Sequence, residues 1–455
     1  MPFVFDRNKV LTTPIIDIVN AIKLQSSLDG NYLLKDVEIR QQNIVVTCPI
    51  HKGGHENKPA CNILAVDKGN TPAGTVHCFM GGTKVPTNEG IKSIESLLGR
   101  EVSIINGNGE WEKTVFKEYG ESEVREICLE RDGKKKFLYA TPSHEWFIHK
   151  KSSPNGNIVK TTDSLKPGDY LCSMYPSPED FNLIDRAVQW GIIYADGTRL
   201  PVYKSYIKDG VRKRDKSVIT RYYYAVNLSK KTKKAGLSKF FSSDSCYGVH
   251  DSIIDGNGFI RIRSKASLNC NINMKTDLPD MSYGRDFVMS FLAGYFSCDG
   301  SIVGKGFYTV NKKAMGLLRD LFVSCGVSIR DEVETVRKPG YTYMKDRCST
   351  IYSTKVVYET LPERFFLLGG YECISSKKYL RGRWRVSSVN TYEGCYPVYC
   401  CETSTKSFVV DENILTHNCF SCGYRANIIK FTADCLGMSY RKATEWLLGF
   451  CDYSI

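Results

Sequence analysis

Apolar positions change their spacing several times along the chain, and each spacing predicts a different element. Thr13-Pro14 is followed by Ile15, Ile16, Ile18, Val19, Ile22 and Leu24, which predicts a helix opening at the proline. Val37 to Val46 alternates loosely, as a strand or hairpin does, and runs into Cys48. From 78 to about 172 the pattern is short apolar runs between turn residues. Val102 to Ile105 and Ile127 to Leu129 lie among Gly81-Gly82, Asn106-Gly107-Asn108-Gly109 and Asp132-Gly133, so this stretch reads as all-β. Between about 180 and 385 the apolar spacing turns helical over Leu183–Ala195, Phe287–Cys298 and Ala314–Cys325. Strand texture returns at Tyr396–Val410. The last residues predict a helix over Ile428–Leu436 and a second one capped by Ser439.

Bulk properties narrow the class. A chain of 455 residues exceeds one core and predicts two to four domains. Net charge is +13, and the basic residues cluster with aromatics at Arg212-Lys-Arg214, Tyr222-Tyr-Tyr224 and the run from Lys377 to Arg385, which favours a nucleic-acid partner. The start, Met1-Pro-Phe-Val-Phe-Asp, lacks the basic and apolar regions of a signal peptide, and no run of 18 apolar residues predicts a membrane span. The expected setting is therefore the cytoplasm, where the 18 cysteines are metal ligands, nucleophiles or core rather than disulfides.

Two dipeptides carry the first chemistry. Cys78-Phe79 is repeated as Cys419-Phe420, and His417-Asn418 precedes the repeat. A thiol at Cys78 can attack the carbonyl of His77 and move the chain onto sulfur as a thioester. Thr141-Pro-Ser-His144 supplies a hydroxyl and an imidazole that can take and give protons near neutrality. The thiol of Cys419 can then take over the acyl group. The Asn418 amide can close a five-membered ring on its own carbonyl, assisted by His417, and cut the bond to Cys419. These blocks, with Leu138 to Ile148 and Val398 to Val410, resemble the intein family over 78–418. The resemblance implies a horseshoe-shaped, all-β Hint splicing domain, built from 78–175 and 388–418. Many inteins carry Asp where this chain has Cys400, so Cys400 is the candidate proton relay, with Cys401 beside it.

The second chemistry is a repeated carboxylate. Gln189-Trp-Gly-Ile-Ile-Tyr-Ala-Asp196-Gly and Leu292-Ala-Gly-Tyr-Phe-Ser-Cys-Asp299-Gly share one pattern. Small residues four apart (Gly191 and Ala195, Gly294 and Cys298) let two helix backbones approach, and a glycine stops each helix after its acid. Packed together, the helices bring Asp196 and Asp299 side by side, where they can hold Mg²⁺ against a phosphodiester. This resembles the LAGLIDADG (DOD-type) homing endonucleases, an α/β class with two motifs per monomer, and implies a domain over 180–385 that cuts double-stranded DNA. Lys275 falls where that family often has an active-site lysine.

Joining 1–77 to 419–455 assembles C-x₂-H, a gap, and C-x₂-C. Cys48, His51, Cys419 and Cys422 then form a candidate tetrahedral Zn²⁺ site, for which His55, Cys61 and His77 compete. The order resembles the CHC2 zinc finger of DNA primases, which implies a small zinc-ribbon-like module reading single-stranded DNA. The expected fold class is thus a multidomain α+β chain with a monomeric intein. A different reading is a nucleic-acid-binding zinc-finger protein whose insertion is inactive.

Overall fold

The computed structural model describes residues 15–28, 37–40, 43–46, 61–64, 78–149, 157–232, 234–242, 246–254, 257–265, 272–337, 349–369, 383–418 and 428–453. It is a mixed α/β chain, mostly strands. It divides into two compact units, one of Met1–Pro86, Lys92–Met174 and Lys378–Ile455, the other of Thr87–Ile91 and Tyr175–Lys377. Among the described residues no helix is long and apolar enough to cross a membrane.

The first unit opens with helix α1 (Ile15–Leu28), whose Ile18, Val19 and Ile22 are buried, as the apolar spacing predicts. Strands β1 (Val37–Arg40), β2 (Asn43–Val46) and β3 (Cys61–Leu64) form an antiparallel sheet, so the segment from Val37 is a hairpin. Further on lie β4 (Phe79–Met80), β5 (Lys84–Thr87), β6 (Gly90–Ser93), β7 (Glu101–Ile105), β8 (Trp111–Val115), β9 (Lys117–Arg131), β10 (Lys134–Ala140), β11 (Glu145–His149) and β12 (Asn157–Thr161).

After the second unit the chain returns as β21 (Arg385–Cys400), β22 (Ser407–Val410) and β23 (Ile414–His417). Strands β10, β4, β21 and β9 close into a barrel, and β12, β11, β23 and β22 form a sheet beside it. Phe79, Trp146 and Phe408 pack edge-on at its centre, with ring centroids 5.6 and 6.2 Å from Phe79. The long β9–β21 pair bulges three times, which bends it without breaking the ladder. Where the chain leaves and re-enters this unit the two strands touch. Gly168 donates to Val386 and Leu171 donates to Trp384, at 2.8 and 2.9 Å, and Tyr170 bridges Arg385. Two closing helices, α5 (Ile428–Leu436) and α6 (Tyr440–Tyr453), match the expected pair, and Ser439 Oγ accepts from the Lys442 N–H.

The second unit repeats one plan. Helix α2 (Asp185–Asp196) leads into β13 (Gly197–Lys208) and β14 (Val211–Ser229), followed by β15 (Cys246–Ile254) and β16 (Asn257–Ser264). Helix α3 (Arg285–Asp299) leads into β17 (Gly300–Ser301) and β18 (Gly306–Thr309), then α4 (Lys312–Ser324), β19 (Val333–Arg337) and β20 (Ser349–Lys355). The sheets run β13-β14-β16-β15 and β17-β18-β20-β19.

Helices α2 and α3 meet backbone to backbone. A Cβ on Gly191 would lie 2.0 Å from the Phe291 carbonyl oxygen, and one on Gly294 would lie 2.3 Å from that of Val188. Alanine normally stabilises an exposed helix position by about 1 kcal/mol over glycine. Here the sign reverses, because the clashing atoms are backbone and cannot turn aside. Gly294→Ala is expected to destabilise the second unit by about 2 kcal/mol, seen as a lower midpoint in thermal melting.

The residues at the less regular first motif find partners. Gln189 Nε2 donates to the Phe240 carbonyl at 2.5 Å, and Trp190 Nε1 donates to that of Asp277 at 3.1 Å. Gly197 and Gly300 do end the helices, but not in the left-handed conformation expected of a glycine stop. Their φ values are −81° and −87°, and the chain runs straight into β13 and β17. Glycine is needed because a Cβ would strike the Ile193 and Phe296 carbonyl oxygens at 2.5 and 2.3 Å.

Candidate functional sites

Strand β4 brings the first set of residues together. Phe79 pairs with Ala140 on one side and Tyr399 on the other. One register step back, Cys78 lies beside Thr141 and Cys400, where antiparallel neighbours have Cα atoms about 4.5–5.5 Å apart. Hydrogen bonds fix the first of these contacts. The Cys78 N–H donates to Thr141 Oγ1 at 3.1 Å, and the Thr141 N–H donates to the Cys78 carbonyl at 3.0 Å. Cys78, Thr141, His144 and Cys400 are all buried. The His144 ring sits 4.2 Å from that of Phe79, and its Nε2 shares a hydrogen bond of 2.5 Å with Thr416 Oγ1. Cys400 directs its thiol to the Cys401 carbonyl at 3.6 Å.

The downstream residues arrive on β23. Trp146 pairs with Thr416, so the antiparallel register sets His144 opposite Asn418 two steps further on. Asn418 is 2% exposed. The amide orientation that satisfies both of its ends has the oxygen accepting from the Thr403 N–H at 2.6 Å and its hydroxyl at 3.1 Å, while the nitrogen donates to the Lys406 carbonyl at 2.8 Å. His417 stacks on Phe147 at 4.2 Å. Burial holds the His417 imidazole below its ordinary value, against a smaller upward pull from Glu145, so it is neutral at pH 7. Thr403 and Thr416, which position Asn418 and His144, were not among the sequence candidates. Only the fold shows them.

In the second unit, α2 and α3 end at Asp196 and Asp299. Each acid therefore sits where its helix already presents unsatisfied carbonyls and the negative end of its dipole. The Asp299 carboxyl is pushed up to about 6, first by burial and then by the Asp196 charge. Lys275 Nζ donates to the carbonyls of Tyr194 and Ala195 at 2.8 and 2.7 Å, closing the last turn of α2. Burial lowers its pKa, while Asp299 and Asp196 pull it back up. Sequence reasoning missed Lys234. It opens the 3₁₀ segment Lys234–Phe240, and its ammonium meets Asp196 at 2.7 Å. Burial alone would lower Lys234; the bond and charge of Asp196 outweigh it and carry the ammonium above its ordinary value.

The donor set suits a hard cation: two carboxylates, one of them destabilised in its charged form, facing the carbonyl-rich ends of two helices. Among the described residues no three His, Cys, Asp or Glu side chains gather into a metal cage. Any ion would therefore complete its shell with water or phosphate oxygens, as Mg²⁺ commonly does. The zinc candidates Cys48, His51, Cys419 and Cys422 lie outside the described residues, as do the competing His55 and His77.

The Asp299 carboxyl makes the stability of the second unit depend on pH. Its folded pKa lies above the unfolded value of about 3.9, so the charged form costs stability. The cost is absent below pH 4, grows as pH rises to 6, and is complete above it. The rise corresponds to about 3 kcal/mol, or about 2 kcal/mol allowing for partial exposure. Asp299→Asn should raise the melting midpoint of the metal-free protein at pH 8 and leave it unchanged at pH 4.

No protein family model matches the chain, and no curated protein does. The solved structures that resemble it include the homing endonuclease I-DmoI in complex with DNA and Mn, at 14% identity and a TM-score of 0.21, over 38% of this chain and 88% of that one. Mesophilic variants of I-DmoI give 14% identity and a TM-score of 0.23, over 41% of this chain and 97% of theirs. The similarity is weak.

Proposed function

We propose that the chain is a self-splicing precursor whose excised segment, 78–418, is a divalent-metal-dependent DNA endonuclease. The observation that supports splicing best is the double register of β4 and β23. It gathers Cys78, Thr141, Cys400, His144 and Asn418 from segments separated by as many as 340 positions in sequence.

Cys78 sulfur attacks the His77 carbonyl carbon. The C–N bond breaks, and the departing amine takes a proton delivered from the His144 side, while the Thr141 hydroxyl holds the Cys78 N–H in line. Cys419 sulfur then displaces Cys78 sulfur. The Asn418 side-chain nitrogen attacks its own backbone carbonyl, a succinimide forms, and the amine of Cys419 departs. That amine recaptures the acyl group from sulfur, leaving His77 joined to Cys419. Neutral His417 accepts a proton during the Asn418 step. Mass spectrometry of the purified product tests this. A 341-residue segment and a 114-residue ligated chain are expected, and an intact chain alone would sink the proposal.

The nuclease reading rests on Asp196 and Asp299 meeting at two helix ends. A bound Mg²⁺ would neutralise phosphate charge and activate water; the two carboxylates would hold it, and Lys275 fixes the turn that carries Asp196. Exposed basic and aromatic side chains on the first sheet, such as Arg199 stacked 3.8 Å over the Tyr222 ring, suit a DNA backbone. The joined ends, 1–77 and 419–455, would hold Zn²⁺ through Cys48, His51, Cys419 and Cys422 and read a single-stranded template as a primase zinc finger does.

A further inference from the structure

We propose that Lys234 is a built-in counter-cation for the carboxylate pair: it holds Asp196 in place without metal and sets how much divalent cation is needed to occupy the site. The inference rests on the nuclease reading of Asp196 and Asp299.

Three observations carry it. Lys234 Nζ lies 2.7 Å from Asp196 Oδ2, with both side chains about three-quarters covered (23% and 25% exposed), so solvent screens the pair less than a surface bridge. It enters from the 3₁₀ segment after β14, whose Leu237 and Phe240 are buried, so the ammonium is delivered by a packed element. The other lysine adds charge nearby but is bonded elsewhere, because Lys275 Nζ donates to the carbonyls of Tyr194 and Ala195. The Lys234 ammonium already neutralises Asp196 at Oδ2 and sets a positive charge beside any metal ion the carboxylate could hold, so the two cations compete electrostatically for one carboxylate. When metal binds, the displaced ammonium is left beside the site with a donor to offer a phosphate oxygen. Lys234 is thus a positioning residue whose effect passes through Asp196.

The test is Mn²⁺ binding by the purified protein without DNA, followed by calorimetry at pH 7.5, with Asp196→Asn defining the signal that belongs to this site. Lys234→Met is expected to tighten Mn²⁺ binding about tenfold, as loss of one competing charge pair in partly covered surroundings should. It should also lower the melting midpoint of the metal-free protein, and Mn²⁺ should raise that midpoint more than in the parent. Lys234→Arg should restore the parent affinity. Should Lys234→Met fold poorly, Lys234→Gln gives the same comparison. Unchanged or weaker Mn²⁺ binding in the methionine or glutamine variant overturns the inference while leaving the carboxylate site intact. Absence of any Asp196-dependent Mn²⁺ binding in the parent overturns both.

Discussion

Asn418→Ala should abolish formation of the 114-residue ligated chain. The alanine methyl cannot attack the backbone carbonyl, and no second amide takes the place of Asn418 at the end of β23. The upstream half of the reaction is separate in mechanism. Cys78 keeps its contacts with Thr141, so the thioester should still form and should be trapped by added thiol as a 77-residue fragment. Cys78→Ala should have the opposite phenotype: no thiol-induced fragment, with slow release at the downstream end. Electrophoresis and mass spectrometry separate the two outcomes. Ligated product persisting in the Asn418 variant would remove Asn418 from the chemistry.

The second large effect concerns DNA. The substrate is a duplex spanning the codons for 77 and 419 in an uninterrupted gene, with Mg²⁺ present. Asp196→Asn combined with Asp299→Asn should reduce cleavage by about 10³-fold or more, the loss of several kcal/mol of metal-borne charge stabilisation. DNA binding should survive, because the basic strand faces are untouched. The Asp299 carboxyl near 6 adds a pH signature, since protons compete with metal below that value. Cleavage should therefore need progressively more Mg²⁺ as pH falls from 7 to 5. Full activity in the double variant would remove the pair from the mechanism, whatever the fold.

Much of the architecture is legible in the spacing of apolar residues. The helices over 183–195, 287–298 and 314–325 lie within two residues of α2, α3 and α4; α4 buries one periodic face, whereas α2 and α3 bury nearly every residue through their middles. The meeting of α2 with α3 is legible too, since only small residues permit it. Long-range pairing is not. Nothing local tells Lys117–Arg131 to find Arg385–Cys400, a match decided by barrel closure. Lys234 stayed hidden for a related reason: in sequence it is one of several neighbouring lysines, and only the return of the 3₁₀ segment toward Asp196 distinguishes it. Gly197 and Gly300 end their helices as the sequence suggests, but their extended conformation is not legible, because a clash with a carbonyl leaves the same residue in the sequence as a left-handed turn does.

The contact between Leu171 and Trp384 has a genetic consequence. The two ends of the first unit's interruption are already hydrogen-bonded to one another, so a loop of a few residues could bridge them at a small closure entropy. Removing the coding stretch between those points would leave every barrel strand with its partner and in its register. A lineage could therefore shed that stretch, or acquire a different one, by recombination at this seam without rebuilding the barrel.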